Sequence, residues 1–245
     1  MCPNATTPMP TPMPIAFDPL APDTQPPHFD PSYRSTILRS PRHAPITIPH
    51  TLTETTGPDF APERFAPVID MTQHHGGAAL GERIIVTGQV RDEAGRPVPH
   101  TMIEIWQANA AGRYNHAHDQ HDAPLDPHFH GNGRVFTDQD GSYRFITIKP
   151  GAYPWGNHAN AWRPNHIHFS LFGAGFAARL ITQMYFPGDP LLALDPIFLA
   201  TPDPAARARL IAAFDLAVTE PHHALGYRFD ITLRGHAATP MEDSA

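Results

Sequence analysis

Cysteine is nearly missing. Cys2 is the only one in 245 residues, so the chain has no disulfide framework, no thiolate cluster for zinc and no CxxC redox pair. A lone thiol beside prolines suits a reducing compartment. Positive charge is also short: 17 Lys+Arg against 24 Asp+Glu give a formal charge of −7, with no basic tail or patch. Nucleic acid and anionic membrane are poor partners for such a surface. No run of about eighteen apolar residues exists to span a bilayer. The opening MCPNATTPMPTPMPIAFDPL lacks both the charged and the continuous apolar regions of a signal peptide. The expectation is a soluble, cytoplasmic protein. Two residue types are in excess. Thirty prolines among 245 residues, about 12% against an ordinary ~5%, favour loops and strands over long helices. Seventeen histidines bring imidazole chemistry into consideration. The 41% of hydrophobic residues suffices for a core.

Residues 1–75 are proline-rich and weakly periodic, yet carry Phe17, Phe29, Tyr33, Ile37, Leu38, Ile46 and Ile48. That is more anchorage than a linker needs. The stretch reads as an extended arm, frayed for its first dozen or so residues, lying on a core or on a partner. Residues 76–245 read as one domain. Arg83–Val90 is β-branched and apolar, and Asp92–Arg96 is a turn around Gly95. In Thr101–Gln107, Met102, Glu104 and Trp106 alternate with Ile103 and Ile105. Further strands are expected at Gly133–Thr137, Ser142–Lys149, His166–Leu171, Leu180–Phe186 and Tyr227–Leu233. A helix is expected over Asp203–Leu216, with Pro204 in its first turn and a stripe of Leu210, Ile211 and Phe214. The fold class is all-β: a sandwich of seven or eight short strands with long loops and one or two short helices.

His166-Ile167-His168 is the first cluster with chemistry in it. On a strand, residues i and i+2 point the same way, so both imidazoles can reach one metal while Ile167 packs inward. Two half-exposed strand histidines are the other reading. There is no HExxH and no carboxylate that completes a two-His-one-carboxylate triad. Instead, tyrosines sit in stiff loops, at Gly112-Arg113-Tyr114 and at Tyr153 between Pro150 and Pro154. They are packing residues or ligands. Phenol has an unperturbed pKa of about 10, so ionising it near neutrality requires a hard, strong Lewis acid. If both are ligands, ferric iron is favoured over zinc or copper.

These residues carry a resemblance. GERIIVTGQVRDEAGRPVPHTMIEIWQANAAGRYNH, LDPHFHGNGRVFTDQDGSYRFITIKPGAYPW, WRPNHIHFSL, LITQMYFPGDP and YRFDITLRG are similar to segments of the intradiol ring-cleaving dioxygenases. RSTILRSP and TLTETTGP in the arm also match. The ordered triplet GRY, KPGxYPW and WRPxHIHF is the specific part. The resemblance implies one non-haem Fe(III) per chain, held by Tyr114, Tyr153, His166 and His168. It implies a catecholic substrate cleaved with O2, and in the branch this chain most resembles that substrate is protocatechuate and the product 3-carboxy-cis,cis-muconate. Tyr153 would be the ligand released as a base, and Arg163 would stabilise negative charge on the substrate. Gln183 would line the oxygen side, Trp155 and Ile197 the apolar wall, and Tyr33 would touch the substrate carboxylate. That branch also implies a homologous, iron-free α subunit in an (αβ)n hetero-oligomer.

The long loop departs from the family pattern by carrying His118, His121 and His130, which read as solvated residues rather than a second metal patch. A transthyretin-like binding module would share the strand-turn-strand text without needing these tyrosines and histidines. A homodimeric catechol or hydroxyquinol dioxygenase would need a helical dimerisation region, which the proline-broken first 75 residues cannot supply. Tyrosinate-to-iron charge transfer predicts a red-brown purified protein. A colourless, iron-free preparation from iron-replete cells would mark the binding module.

Overall fold

The computed structural model describes residues 20–46, 63–74, 76–172 and 180–242. Phe17 and Ile48 of the arm lie outside them. Thirteen strands are formed among the described residues: β1 Gln73–His74, β2 Gly77–Ala78, β3 Arg83–Arg91, β4 Met102–Trp106, β5 Asn132–Phe136, β6 Ser142–Ile148, β7 Tyr153–Pro154, β8 Trp162–Arg163, β9 His166–Phe172, β10 Leu180–Tyr185, β11 Ala213–Phe214, β12 Leu225–Arg228 and β13 Ile231–Thr232. Two sheets make the body. One runs β10-β9-β4-β5, antiparallel throughout. The other is centred on β3, which pairs antiparallel with β6 on one side and parallel with β12 and then β13 on the other.

The sheets share one core. Ile103, Ile105, Ile167, Phe169 and Leu171 come from the first sheet, and Ile84, Val86, Val90, Phe145 and Ile231 from the second. Phe169 joins the layers, with its ring centroid 5.9 Å from Phe145 and 5.2 Å from Phe229. Alternation along β4 and β9 therefore has a direct consequence. Ile103 and Ile105 face the core with Ile167, Phe169 and Leu171, and Trp106, His166 and His168 are left for the opposite side. Among the described residues, no helix is long and apolar enough to cross a membrane.

Three expected elements differ from what forms. The helix expected over Asp203–Leu216 is only Pro204–Ala208. Asp203 caps it, accepting from the backbone N–H groups of Ala205 and Ala206. The chain then leaves the helix because the edge of β10 captures it: Tyr185 N donates to Leu210 O and Ala212 N donates to Tyr185 O. Ala213 and Phe214 go on to pair with Arg228 and Tyr227. Backbone pairing with a sheet edge outweighs helix propensity here. Leu210 is buried with Tyr185 and Phe198, whereas Phe214 is half exposed, so the apolar stripe does not share one face.

The strand expected over Tyr227–Leu233 is broken between β12 and β13. Phe229 O approaches β3 at Gly88 so closely that a Cβ there would lie 1.8 Å from it. The Tyr143 hydroxyl donates to that same oxygen, and Gln89 N donates to the Asp230 side chain instead of to a backbone carbonyl. The arm, read as extended, contains a short helix over Arg34–Arg39 with Thr36 as its buried residue.

Gly88→Ala is expected to cost roughly 3 kcal/mol, because backbone and the Tyr143 hydroxyl must both retreat. Gly156→Ala, where a Cβ meets nothing within 4 Å, is the control and should stay within about 0.5 kcal/mol of the parent. Urea midpoints decide this; equal midpoints would refute the close-approach account.

Candidate active site

β9 supplies the centre. His166 and His168 are buried, and their Nε2 atoms lie 3.2 Å apart. The other nitrogen of each ring is committed elsewhere. His166 Nδ1 is 2.6 Å from the Pro164 carbonyl oxygen, and His168 Nδ1 is 2.9 Å from a Glu242 carboxylate oxygen. Both partners are acceptors, so both Nδ1 atoms carry a proton and both Nε2 atoms are turned away from them. Burial, then the charge of Arg163 and the neighbouring His168, holds His166 well below the ordinary histidine range. The neutral His166 keeps its lone pair on Nε2, and both Nε2 atoms face a common point. Trp106 lies opposite His168 in the β4–β9 register and stacks on its ring, with centroids 4.7 Å apart and planes 6° from parallel.

Two phenols complete the convergence. Tyr114 Oη is 3.1 Å from His168 Nε2 and Tyr153 Oη is 3.3 Å from His166 Nε2. Their rings meet edge to face at 5.3 Å. The loops that carry them are locked together through Asn109. Its carbonyl accepts from Gly112 N at 3.0 Å and from Gly151 N at 2.9 Å, so one residue ties the Tyr114 loop to the Tyr153 loop. Its side-chain oxygen accepts from Ala111 N and Arg113 N, and its amide nitrogen donates to Pro124 O. Glycine is required at the joint: Gly112 has φ +79°, and a Cβ on it would lie 2.0 Å from Ala152 O. Asp119 fixes the far side of the Tyr114 turn by accepting from Tyr114 N at 2.7 Å.

Burial pushes both phenols above their ordinary range, and for Tyr114 the neighbouring Tyr153 adds to the rise. Ionising them at neutral pH thus needs a strong, hard cation between them. Two imidazole lone pairs and two phenol oxygens converging on one point are a donor set that fits such an ion. Among the described residues, no group of three or more His, Cys, Asp and Glu is gathered to hold a metal. His118 sits against His116, and His121 packs edge-on to Trp162.

Arg163 is the buried positive charge beside this cluster. It pairs with Tyr153 across the short β7–β8 ladder. Arg163 Nε lies 3.2 Å from Asp195 Oδ1, with Asp195 fully buried. Arg163 Nη2 donates to the Gln183 side-chain oxygen and, at 3.2 Å, to the Tyr185 hydroxyl. Burial works against its charge, but Tyr185, Asp195 and Tyr153 outweigh it and keep the guanidinium firmly protonated. Gln183 and Tyr185 face His168 and His166 in the β9–β10 register, which is what brings them here. Trp155 lies under the guanidinium at 5.4 Å, and Tyr33 reaches Trp155 with ring centroids 5.5 Å apart. The arm is tied down at this point: Arg34 N donates to the Asn157 side chain, which donates back to Ser32 O. Ile197 is buried in the first turn of the helix Pro196–Leu199, whose cap is Asp195.

Every expected site residue is thus brought to one region. Four neighbours are not assigned to the site by the sequence reading: Trp106, which enters it only as a strand residue, and Tyr185, Asp195 and Glu242. The first two carry a signal, because same-face spacing on β4 and β10 puts them opposite the histidines. Asp195 and Glu242 arrive from distant loops and carry none.

A family profile described as "Dioxygenase" matches residues 55–235, and one described as "Protocatechuate 3,4-dioxygenase beta subunit N terminal" matches residues 20–51. The chain is 60% identical to the protocatechuate 3,4-dioxygenase beta chain of Burkholderia cepacia over 222 residues, 89% of this chain and 94% of that one. It is 34% identical to the protocatechuate 3,4-dioxygenase alpha chain of Pseudomonas putida over 167 residues, 67% of this chain and 78% of that one. Among solved structures, catechol 1,2-dioxygenase from Pseudomonas arvilla C-1 superposes with a TM-score of 0.51 at 25% identity, covering 72% of this chain and 60% of the other.

The Asn109 joint gives a test that needs no substrate. Gly112→Ala should spread the two tyrosine loops, whereas Gly156→Ala should not. The expected readout is at least a tenfold loss in the affinity with which the protein retains a bound ferric ion, the scale of damage to supporting contacts. Unchanged retention in Gly112→Ala would show that the joint does not position the phenols.

Proposed function

We propose, for a chain that belongs to the intradiol ring-cleaving dioxygenase family, that it cleaves protocatechuate with O2 to 3-carboxy-cis,cis-muconate. It does so as the iron-bearing partner of a homologous alpha chain, in the reducing compartment of the cytoplasm. The observation that carries the reading is the convergence of Tyr114 Oη, Tyr153 Oη, His166 Nε2 and His168 Nε2, with neighbouring donors 3.1–3.3 Å apart. These four would hold one non-haem ferric ion. Bound there, the ion supplies a Lewis acid that makes a catechol diol acidic and ready to react with O2. Both oxygen atoms enter the product, so no external reductant is consumed.

The chain's own residues divide the remaining work. Tyr153 is the phenol set against Arg163; ionised when it holds the ion, its Oη would be the base that takes a proton from the substrate diol and returns to the phenol. Arg163, held charged by Asp195, stabilises the negative charge that this leaves on the ring. Gln183 keeps its amide at the guanidinium, on the side where oxygen approaches. Trp155 and Ile197 form the apolar wall, which excludes water from the reacting ring. The Tyr33 hydroxyl meets the substrate carboxylate at the mouth. One neutral hydroxyl is a weak anion site, so a basic residue of the alpha chain completes the clamp. The arm offers a surface for that chain: Phe29, Ile37, Leu38 and Ile46 are all more than half exposed.

Oxygen uptake with protocatechuate, catechol and hydroxyquinol side by side, on protein co-expressed with its alpha chain, tests the substrate. One O2 per protocatechuate and the carboxymuconate spectrum are expected; faster turnover of catechol or hydroxyquinol would overturn the assignment. Tyr114→Phe, His166→Ala and His168→Ala should each lose iron, or at least roughly 100-fold in kcat/KM, since every ligand is also a charge or lone pair on the ion. Arg163→Lys, which keeps a cation near Asp195 but not the planar fork, should lose roughly tenfold or more in kcat at unchanged iron content. Light scattering tests the partner. The lone chain should be poorly soluble or weakly active and the co-expressed pair a stable (αβ)n assembly, whereas a fully active homo-oligomer of this chain would contradict it.

A further inference from the structure

The two histidines are anchored differently. His166 Nδ1 meets a neutral backbone carbonyl two residues away, while His168 Nδ1 meets the Glu242 carboxylate 74 positions along the chain. A carboxylate so late in the chain could stay in water at little cost, but this one is drawn in, its side chain only 21% exposed. The stretch that delivers it is pinned on both sides of the sheet edge. Glu242 N donates to Ile181 O at 2.8 Å, and Thr182 Oγ1 donates to Pro240 O at 2.7 Å, both on β10. Met241 N donates to the Gln25 side chain at 2.8 Å, so the arm helps to hold the strap. Trp106 holds the plane of the His168 ring by stacking but leaves open the 180° flip about Cβ–Cγ that preserves that plane. The Nδ1–carboxylate bond removes that freedom.

We propose that Glu242 is a positioning residue of the metal centre. It fixes the tautomer and rotation of His168 so that Nε2 stays turned toward Tyr114 and His166, and it raises the donor strength of that nitrogen. The C-terminal strap, with Gln25 behind it, thereby becomes part of how tightly iron is held. This rests on the ligand set proposed above, and the experiment separates the two.

The protein is purified with its alpha chain, and iron release to a ferric chelator is timed for the parent, Glu242→Gln and Glu242→Ala. Thermal midpoints of the iron-free forms and the position of the tyrosinate charge-transfer band are read alongside. Glu242→Gln keeps the length and the strap's backbone bonds but not the charge. The expected result is release faster by roughly tenfold in Glu242→Gln and up to roughly 100-fold in Glu242→Ala, with a shifted band and an unchanged iron-free midpoint in the Gln variant. Parent-like release in both variants would overturn the proposal. So would faster release matched by a fall in the iron-free midpoint, which would make Glu242 a folding residue only. A parent protein that binds no iron would instead overturn the ligand set itself.

Discussion

Two imidazole Nε2 atoms held 3.2 Å apart on one side of β9, each with a phenol oxygen 3.1 or 3.3 Å away, are the constraint on which the rest depends. With nothing bound, the partners of these nitrogens are the neighbouring phenol O–H groups, which burial keeps protonated. A cation held there, as proposed, would accept a lone pair from each imidazole and make both phenolates favourable. The fold's part is to keep the four groups from escaping. β9 fixes the histidines by alternation, because turning either one away would also pull Ile167 or Phe169 out of the core. A one-residue slip of β9 would place apolar residues at the site and imidazoles in the core.

The supporting groups follow from that constraint. Nδ1 acceptors exist because Nε2 must be bare. The tyrosine loops are tied at Asn109, so the phenols cannot part independently. Arg163 stands behind Tyr153 with Asp195 as its fixed counter-charge, a buried positive charge beside the four converging groups. Burial of this pair costs solvation that only good geometry offsets, and the hydrogen bonds from Arg163 to Gln183 and Tyr185 supply part of that compensation. Removing Arg163 outright would strand Asp195 as well as the reaction, which is why lysine is the informative substitution.

Much of this was legible in the sequence. Alternation in Met102–Trp106 separated the two faces of that strand, and the HxH spacing put two imidazoles on one side with Ile167 toward the core. That Tyr114 and Tyr153 join them was not derivable from spacing; it came from resemblance, and the structure places their hydroxyls 3.1 and 3.3 Å from the histidine Nε2 atoms. Where sequence reading failed, long-range pairing had overridden a local signal. The amphipathic stretch after Pro204 reads as a helix but is captured by the edge of Tyr185, and YRFDITL reads as one strand but is broken by the approach of Phe229 to Gly88. Glu242 and Asp195 were invisible because a carboxylate in a loop carries no sign of which imidazole or guanidinium it will meet.

The most direct measurement is anomalous diffraction at the iron edge from crystals of the protein purified with its alpha chain. The account predicts one strong peak per copy of this chain, within bonding distance of Tyr114 Oη, Tyr153 Oη, His166 Nε2 and His168 Nε2. A peak that lacks any one of these four, or that sits among His116, His118 and His121 instead, would contradict it.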